Sequence, residues 1–240
     1  MRVKSTRPAR NGGWLHRIDD APVRPVVRAH MRRRPQTTHV RDWASILLRW
    51  AKNTTSSDLA QLGRTLGVTV ASMSRLGACW AGRHRAWAFP MRSVARETIG
   101  IRLRARTGRK WAVRGSRNGL FWPDALSKTG PLLVCEGPTD VAALLDMDYD
   151  AIGRPSCAGA VEMTVNAVGN LGHRQVVVIA DADGPGVNGA ERLARALTEA
   201  GHHPKVIQPL QGKDARAWVK AGATRTDVDD AIRNALYWRP

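Results

Sequence analysis

Cysteine is scarce in this chain of 240 residues, and its three cysteines are far apart. Cys79, Cys135 and Cys157 form no Cys-x-x-Cys pair, so the sequence offers no zinc ribbon. Scarce cysteine is also typical of proteins from a reducing compartment. We therefore expect a cytoplasmic protein that contains no zinc.

Long apolar runs are absent as well. No segment approaches the roughly 20 consecutive apolar residues that a membrane-spanning helix needs, so we expect no membrane partner. The amino terminus is basic, but no apolar segment follows it, which excludes a secretory signal. Because the same region is rich in arginine and poor in acids, its composition leaves an organellar transit peptide open.

Acidic residues are rare in the first half of the chain. Residues 1–130 contain 27 Lys and Arg against 6 Asp and Glu, whereas residues 131–240 contain 11 against 14. The whole chain has a formal charge of +18 and a pI near 11.3. This basic balance favours a polyanionic partner, and its segregation predicts nucleic-acid binding in the first half.

The first segment, residues 1–42, is dense in Arg and Pro and includes the run Arg32-Arg33-Arg34. It shows little apolar periodicity. We interpret it as a flexible basic arm that could contact phosphates, and a disordered leader is the alternative.

Residues 43–82 have the spacing of helices. Apolar residues such as Leu59, Leu62 and Leu66 share one helical face, with Ser57 or Asp58 as the expected N-cap. Gly67 should end this helix, and Thr69 should cap the next one.

This pattern resembles a helix-turn-helix. Its second helix would then expose Ala71, Ser72, Ser74 and Arg75 to a DNA groove. A hairpin that only packs against the rest of the protein fits the sequence as well.

Residues 83–129 are predicted to form a basic, β-rich subdomain. Apolar and basic residues alternate from Ile99 to Arg106, which places Arg102 and Arg104 on one face of a half-buried strand. Together with Lys110, this face suits a phosphate backbone or a triphosphate. Most tryptophans of this half of the chain are expected in its core.

Gly130-Pro131 marks a boundary, and from residue 130 to 240 apolar strands alternate with helical patterns. We predict strands at 132–136, 151–153, 176–180 and 204–208. This alternation indicates an α/β fold with a parallel sheet and helices on both of its faces.

Carboxylates follow two of these strands. Glu136 ends the first strand, and Asp181 and Asp183 follow the third. Ligands bind at the carboxyl ends of parallel strands, and a divalent cation such as Mg²⁺ would relieve the repulsion between such acids. Two alternatives stay open: Glu136 acts as a general acid or base, or the acids only cap helices and turns.

Three motifs in this half carry a resemblance. Glu136-Gly137-Pro138-Thr139-Asp140, Asp181-Ala182-Asp183-Gly184 and Lys213-Asp214 resemble the Toprim domain of primases, topoisomerases and some nucleases. Upstream, Phe89-Pro90-Met91-Arg92 and Gly100-Ile101-Arg102-Leu103-Arg104 resemble the basic subdomain that precedes Toprim in bacterial and phage primases. The resemblance covers about residues 83–220.

The resemblance implies a primase catalytic core that makes RNA primers on single-stranded DNA with Mg²⁺ or Mn²⁺. The implied metal ligands are Glu136, Asp181, Asp183 and Asp214, of which the first three are the catalytic residues. The implied nucleotide-binding or nucleic-acid-binding residues are Arg102, Arg104, Lys110, Asp140 and Lys213. Expected partners are single-stranded DNA, nucleoside triphosphates and a replicative helicase, in the cytoplasm at the nucleoid.

The sequence departs from this family in three respects. We expect a core without the zinc-binding domain or the helicase domain of its relatives, and Arg216 replaces an acidic residue often seen two places after the Lys-Asp pair. A Toprim nuclease and a non-catalytic nucleic-acid-binding module of a replicon or mobile element therefore remain alternatives. A topoisomerase is disfavoured, because neither Tyr149 nor Tyr237 lies in a DNA-gating domain.

Overall fold

Two four-stranded sheets, one antiparallel and one parallel, form the framework of the protein. The computed structural model describes residues 41–127, 129–172 and 174–240. The predicted arm over residues 1–42 lies outside these ranges except for its last two residues. Within them, none of the helices has the length and apolar character that a membrane span requires.

The described chain begins with three helices, α1 (Trp43–Ala51), α2 (Ser56–Leu66) and α3 (Val70–Arg75). The N-cap of α2 is Thr55, so the prediction of Ser57 or Asp58 is wrong. Asp58 instead lies at the third helical position, where its carboxylate accepts a hydrogen bond from the Thr55 backbone N–H and closes a capping box. Gly67 ends α2 in the left-handed conformation and Thr69 caps α3, as predicted.

The α2–α3 hairpin packs against the rest of the protein. Ser72, predicted to be exposed, is buried, and its hydroxyl donates to the Thr69 carbonyl. Arg75 forms an ion pair with Asp124. The Thr69 backbone N–H donates to the Asp146 carboxylate at 2.7 Å. These contacts are those of a packing hairpin. Side chains of α3 that would have to contact DNA are instead engaged by other residues of the protein.

The antiparallel sheet has the order β1-β2-β3-β4. Its strands are β1 (Cys79–Ala81), β2 (Ala86–Arg92), β3 (Thr98–Ala105) and β4 (Lys110–Ala112). One face packs on α1 through Trp43, Ile101 and Leu103. The other face carries Trp87 and Phe89 into the core shared with the parallel sheet. The alternation of apolar and basic residues in β3 was predicted to separate a buried face from a solvent-exposed face. In the structure both faces of the sheet are packed.

The parallel sheet confirms the predicted α/β fold. Its strands are β5 (Leu132–Glu136), β6 (Asp150–Arg154), β7 (Val176–Ile179) and β8 (Lys205–Ile207), in the order β6-β5-β7-β8. The helices are α4 (Pro138–Leu145), α5 (Val161–Asn170), α6 (Gly184–Glu199), α7 (Ala215–Lys220) and α8 (Arg225–Asn234). The central strands are uniformly apolar because both of their faces are covered.

The two faces of the parallel sheet support two cores. Leu133 and Val177 point into the cluster that includes the α2–α3 hairpin, while Val134 and Val178 point into the cluster against α5 and α6. Phe121 joins the two sheets, since its backbone exchanges hydrogen bonds with that of Gly153 at 2.8 and 3.0 Å. The preceding residue, Leu120, pairs with Arg92 at the end of β2, so this link connects the antiparallel sheet to the carboxyl end of β6.

The segment that connects the two sheets is held by Arg174. Its guanidinium donates to the carbonyl oxygens of Ser127, Thr129 and Gly130 at 2.7 to 3.0 Å. It also pairs with Asp150 at 2.8 Å, and both side chains are less than 10% exposed. One buried cation therefore holds the connection against the start of β6.

We predict that Arg174→Met lowers the melting temperature by about 10 °C, because it leaves the Asp150 carboxylate buried without its cation. Breaking a buried ion pair costs about 3–5 kcal/mol, and each kcal/mol shifts a domain of this size by about 2–4 °C. The control is Arg233→Met, which removes the 73% exposed partner of Asp230 and should shift the midpoint by less than about 2 °C. Equal shifts in the two variants, measured by thermal unfolding, would contradict this role.

Candidate active site at the carboxyl edge of the parallel sheet

A cleft of about 120 Å³ opens where the carboxyl ends of β5 and β7 meet the antiparallel sheet. Most of the predicted site residues line it: Arg102, Lys110, Glu136, Asp140, Asp181, Lys213 and Asp214. The parallel sheet and its loops supply the acids, and β3 and β4 supply two of the cations. Residues from distant parts of the chain thus meet around one small volume.

Asp183 and Arg104 are the two predicted site residues outside this lining. Asp183 is exposed and caps α6, where it accepts a hydrogen bond from the Gly186 backbone N–H at 2.9 Å. Lys213 donates to its other oxygen at 3.2 Å. These two hydrogen bonds hold the pKa of Asp183 below its usual value. Asp181 and Asp183 follow the same strand and were expected to bind the same metal ion, but they have different surroundings.

The two glycines that follow Asp183, Gly184 and Gly186, differ in how much space surrounds them. A side chain at Gly186 would place its Cβ 2.6 Å from the Asp181 carbonyl oxygen, whereas one at Gly184 would meet open space. The close approach of α6 to the end of β7 therefore requires Gly186 in particular. The tight turn does not depend on all the glycines equally.

Glu136 lies at the end of β5 with its side chain 17% exposed. Its Oε1 atom is buried and accepts no hydrogen bond from the described residues, and Arg154 Nη2 lies 3.8 Å away. Burial, followed by the nearby Asp181 carboxylate, raises the pKa of Glu136 to about 7, against the opposing effect of Arg154. The residue therefore exchanges its proton near neutral pH.

Arg154 is a site residue that the sequence analysis missed. It ends β6 directly beside Glu136 in the parallel register and is only 1% exposed. Its Nη1 donates to the carbonyl oxygens of Cys157 and Gly189, so the guanidinium is held in place. The sequence did contain a signal for Arg154. This charged residue comes directly after the predicted strand at 151–153, at the edge of the sheet where Glu136 ends its own strand.

A second fixed cation, Arg216, lies beside Asp214 and Asp140. Its backbone N–H donates to the buried Asp140 carboxylate at 3.0 Å, and its Nη2 lies 4.0 Å from Asp214. Its Nη1 donates to the carbonyl oxygen of Leu66, the last residue of α2. Arg216 therefore connects the acidic cleft to the α2–α3 hairpin.

Asp140 has the most perturbed pKa among these acids. Burial raises it to about 8, and the neighbouring Asp214 carboxylate adds to the effect. Asp181 responds in the same way, since burial and then Asp214 raise its pKa to about 6. Both shifts show that like charges crowd here without enough compensation.

Oxygen atoms of Glu136 and Asp181 are the donors that the cleft offers to a hard divalent cation. Within the described ranges, no group of three or more His, Cys, Asp or Glu side chains is gathered closely enough to hold a metal ion. In the same ranges the Asp181 carboxylate lines the cleft without a hydrogen bond from the protein. The buried Oε1 of Glu136 faces Arg154 at 3.8 Å, so its other oxygen is the one that can face a cation in the cleft. Mg²⁺ takes one or two carboxylates and completes its shell with water and phosphate oxygens, so Glu136 and Asp181 fit that requirement.

Comparisons with known proteins identify a family for part of the chain and a shared fold for most of it. Residues 133–218 match the family of Toprim-like domains. A comparison with curated proteins gave no match to the sequence.

Among solved structures, the DnaG primase catalytic domain bound to ssDNA aligns with a TM-score of 0.65 at 14% identity, over 81% of this chain and 77% of that one. The E. coli primase catalytic core aligns at 0.59 and 15% identity, over 80% and 79% of the two chains. The primase fragment of the bacteriophage T7 primase-helicase protein aligns at 0.54 and 14%, over 70% and 72%. At such identities, these alignments establish a shared fold.

We predict that Asp140→Asn stabilises the protein at pH 8.5 and has little effect at pH 5. The folded-state pKa of Asp140, about 8, lies above the ordinary value of 3.8 for an aspartate, so the wild type loses stability as pH rises through this window. Asn keeps the acceptor for the Arg216 N–H and removes the buried charge, so its advantage in melting temperature should grow to about 5 °C.

The control for this measurement is Asp183→Asn, in protein freed of metal by EDTA. The pKa of Asp183 is below 3.8, so its stabilising effect is already complete at pH 5 and its variant should show no trend up to pH 8.5. A pH-independent difference between Asp140→Asn and the wild type would show that Asp140 does not carry the proposed charge penalty.

Proposed function

Because residues 133–218 form a Toprim-like domain in a chain with the fold of primase catalytic cores, we propose that the protein is a primase-type nucleotidyltransferase. It would synthesise RNA primers on single-stranded DNA with Mg²⁺ or Mn²⁺. The observation that carries the proposal is the cleft itself, in which acids from the parallel sheet face cations from the antiparallel sheet.

The cations of the cleft suit a triphosphate. Arg102 is held by a hydrogen bond from its Nη2 to the Pro155 carbonyl oxygen, and Lys110 is exposed on the edge strand β4. A fixed guanidinium and a mobile ammonium together can bind phosphate oxygens in two geometries. They would orient the triphosphate towards Glu136 and Asp181.

The acids would hold the metal. Glu136 and Asp181 are the proposed ligands, with Asp183 and Asp214 close by as the further residues implied by the family resemblance. A bound divalent cation supplies charge stabilisation at phosphate oxygens in phosphoryl transfer. Arg154 has a separate part, since it holds one oxygen of Glu136 by charge and leaves the more exposed part of the side chain to the cleft.

In the proposed reaction, the 3′-oxygen of the primer forms a bond to the α-phosphorus while the bond to the β-phosphate oxygen breaks and pyrophosphate leaves. The 3′-hydroxyl must lose its proton in this step. Where Glu136 remains free of metal, its carboxylate is suited to accept that proton, because its pKa is about 7. Arg102 and Lys110 would stabilise the charge of the departing pyrophosphate.

The biological context belongs to the same proposal. One of the similar structures is a primase domain bound to ssDNA, and another shows phage T7 primase domains of gp4 with an RNA/DNA hybrid. We propose by analogy that the partners here are single-stranded DNA, nucleoside triphosphates and a replicative helicase. The setting would be DNA replication of a bacterium, phage or mobile element, in the cytoplasm at the nucleoid.

One observation favours a second candidate function. Arg154, Lys213 and Arg216 each pair with a carboxylate of the site, at 3.8, 3.2 and 4.0 Å. Such internal cations partly fill the role of a metal ion. A non-catalytic module that binds nucleic acid through the basic face of β3 would have the same arrangement.

We predict that Asp181→Asn lowers primer synthesis about 1,000-fold, because it removes a carboxylate with no hydrogen-bond partner among the described residues. A loss of this size corresponds to about 4 kcal/mol of transition-state stabilisation. The assay is incorporation of labelled ribonucleotides on single-stranded DNA with Mg²⁺. The control is Asp230→Asn on α8, a 48% exposed residue outside the cleft, which should retain full activity.

Other outcomes separate the alternatives. Full activity of Asp181→Asn would remove the assignment. Metal-dependent cleavage of DNA or RNA without nucleotides would indicate a Toprim nuclease. Tight, salt-sensitive DNA binding with no calorimetric Mg²⁺ or Mn²⁺ binding would support the non-catalytic module.

A further inference from the structure

A second pocket, of about 280 Å³, lies between helix α2 and the antiparallel sheet. Its polar and aromatic lining comes from Gln61 and Thr65 on α2, Trp87 on β2, and Arg104 and Arg106 at the end of β3. Leu62 and Leu66 close it on the apolar side. Neither the family match, which covers residues 133–218, nor the acidic cleft includes this pocket.

The pocket and the acidic cleft are neighbours on one row of the sheet. The strand register places Trp80 opposite Trp87, Trp87 opposite Arg104, and Arg104 opposite Lys110. Paired residues of antiparallel strands point to the same face, so the row runs from two indoles through a guanidinium to an ammonium. Arg104 lines the pocket and Lys110 lines the cleft, so the two cavities adjoin at this pair.

The chemistry of the row is that of a nucleotide site. The Arg106 guanidinium lies over the Trp80 ring at 5.2 Å and within 3.5 Å of Gln61 Oε1, so it has a defined place at the rim. Indole and guanidinium planes are the groups on which bases stack in single-strand-binding proteins. Gln61 offers an amide at the edge of the pocket, and Arg104 lies on the side nearest the cleft.

We propose that this pocket binds one nucleotide unit, with its base against the Gln61–Thr65 side of α2 at the Arg106 rim, above the buried Trp87 that forms the floor, and its phosphate at Arg104. The inference deepens the proposed function, because the phosphate of such a unit would lie towards Lys110 and the acids. Its volume is slightly below the range of about 300–1,000 Å³ for drug-sized ligands, which suits one base. The nucleotide could come from a free triphosphate or from a single strand of DNA.

The test compares two exposed arginines, one at the rim of the pocket and one on α2 outside it. Arg106→Ala removes the rim of the pocket, and Arg64→Ala removes an exposed arginine of α2 that lies outside it, so both variants lose the same charge. Binding of labelled oligo(dT) is measured by anisotropy, and binding of ATP by calorimetry, both in EDTA. We expect Arg106→Ala to weaken at least one ligand about tenfold and Arg64→Ala to change both by less than twofold.

A second variant fills the pocket without changing the charge. Thr65→Trp puts a large side chain on the exposed side of α2 that lines the pocket, and it should weaken the same ligand as Arg106→Ala. Circular dichroism and the melting temperature verify the fold of each variant. Loss of ATP binding alone identifies a site for the triphosphate, and loss of oligo(dT) binding alone identifies a site for the strand.

The outcomes separate this inference from the proposed activity. Asp230→Asn, which changes a carboxylate outside both cavities, should bind both ligands as the wild type does in EDTA, whether or not the protein makes primers. Unchanged binding of both ligands in folded Arg106→Ala and Thr65→Trp would overturn the pocket assignment and leave the acidic cleft unaffected. Equal weakening by Arg64→Ala and Arg106→Ala would also overturn it, since only general charge would then matter.

Discussion

Crowding of carboxylates at one edge of the parallel sheet is the constraint on which the site depends. Glu136, Asp140 and Asp181 all have pKa values raised first by burial and then by neighbouring carboxylates, chiefly Asp181 for Glu136 and Asp214 for the other two. A fold that keeps such acids together must surround them with positive charge. The protein does so with two arginines, Arg154 and Arg216, whose guanidinium groups donate hydrogen bonds to backbone carbonyl oxygens and are held in place by them.

The rest of the architecture follows from that requirement. The antiparallel sheet brings Arg102 and Lys110 to the cleft, and the Phe121–Gly153 backbone link sets its position. The α2–α3 hairpin has no acid in the cleft, yet it contributes the Leu66 carbonyl oxygen that holds Arg216. The same helices and strands therefore build the core and hold the charged side chains of the site, because those side chains need rigid partners.

Periodicity and motif spacing were sufficient for the α/β architecture and for most members of the site. The buried strands are continuous apolar runs in the sequence, and the predicted strand at 132–136 is found as β5. The errors concern groups whose role depends on a distant contact. Ser72 has a polar side chain and was predicted to face a groove, but the packing of the α2–α3 hairpin against the rest of the protein buries it. Arg154 escaped notice because its partners, Glu136 and the Cys157 and Gly189 carbonyl oxygens, come from three separate segments.

The sequence by itself determined the order of strands and helices, the separation of a basic half from an acidic half, and the residue types gathered at the strand ends. These properties are local, since apolar periodicity and turn chemistry act over a few residues. Only the tertiary structure decided that Asp183 caps a helix and pairs with Lys213 while Asp181 lines the cleft. The physical reason is that elements remote in sequence set the surroundings of a charge. Two aspartates only two positions apart can therefore have different neighbours.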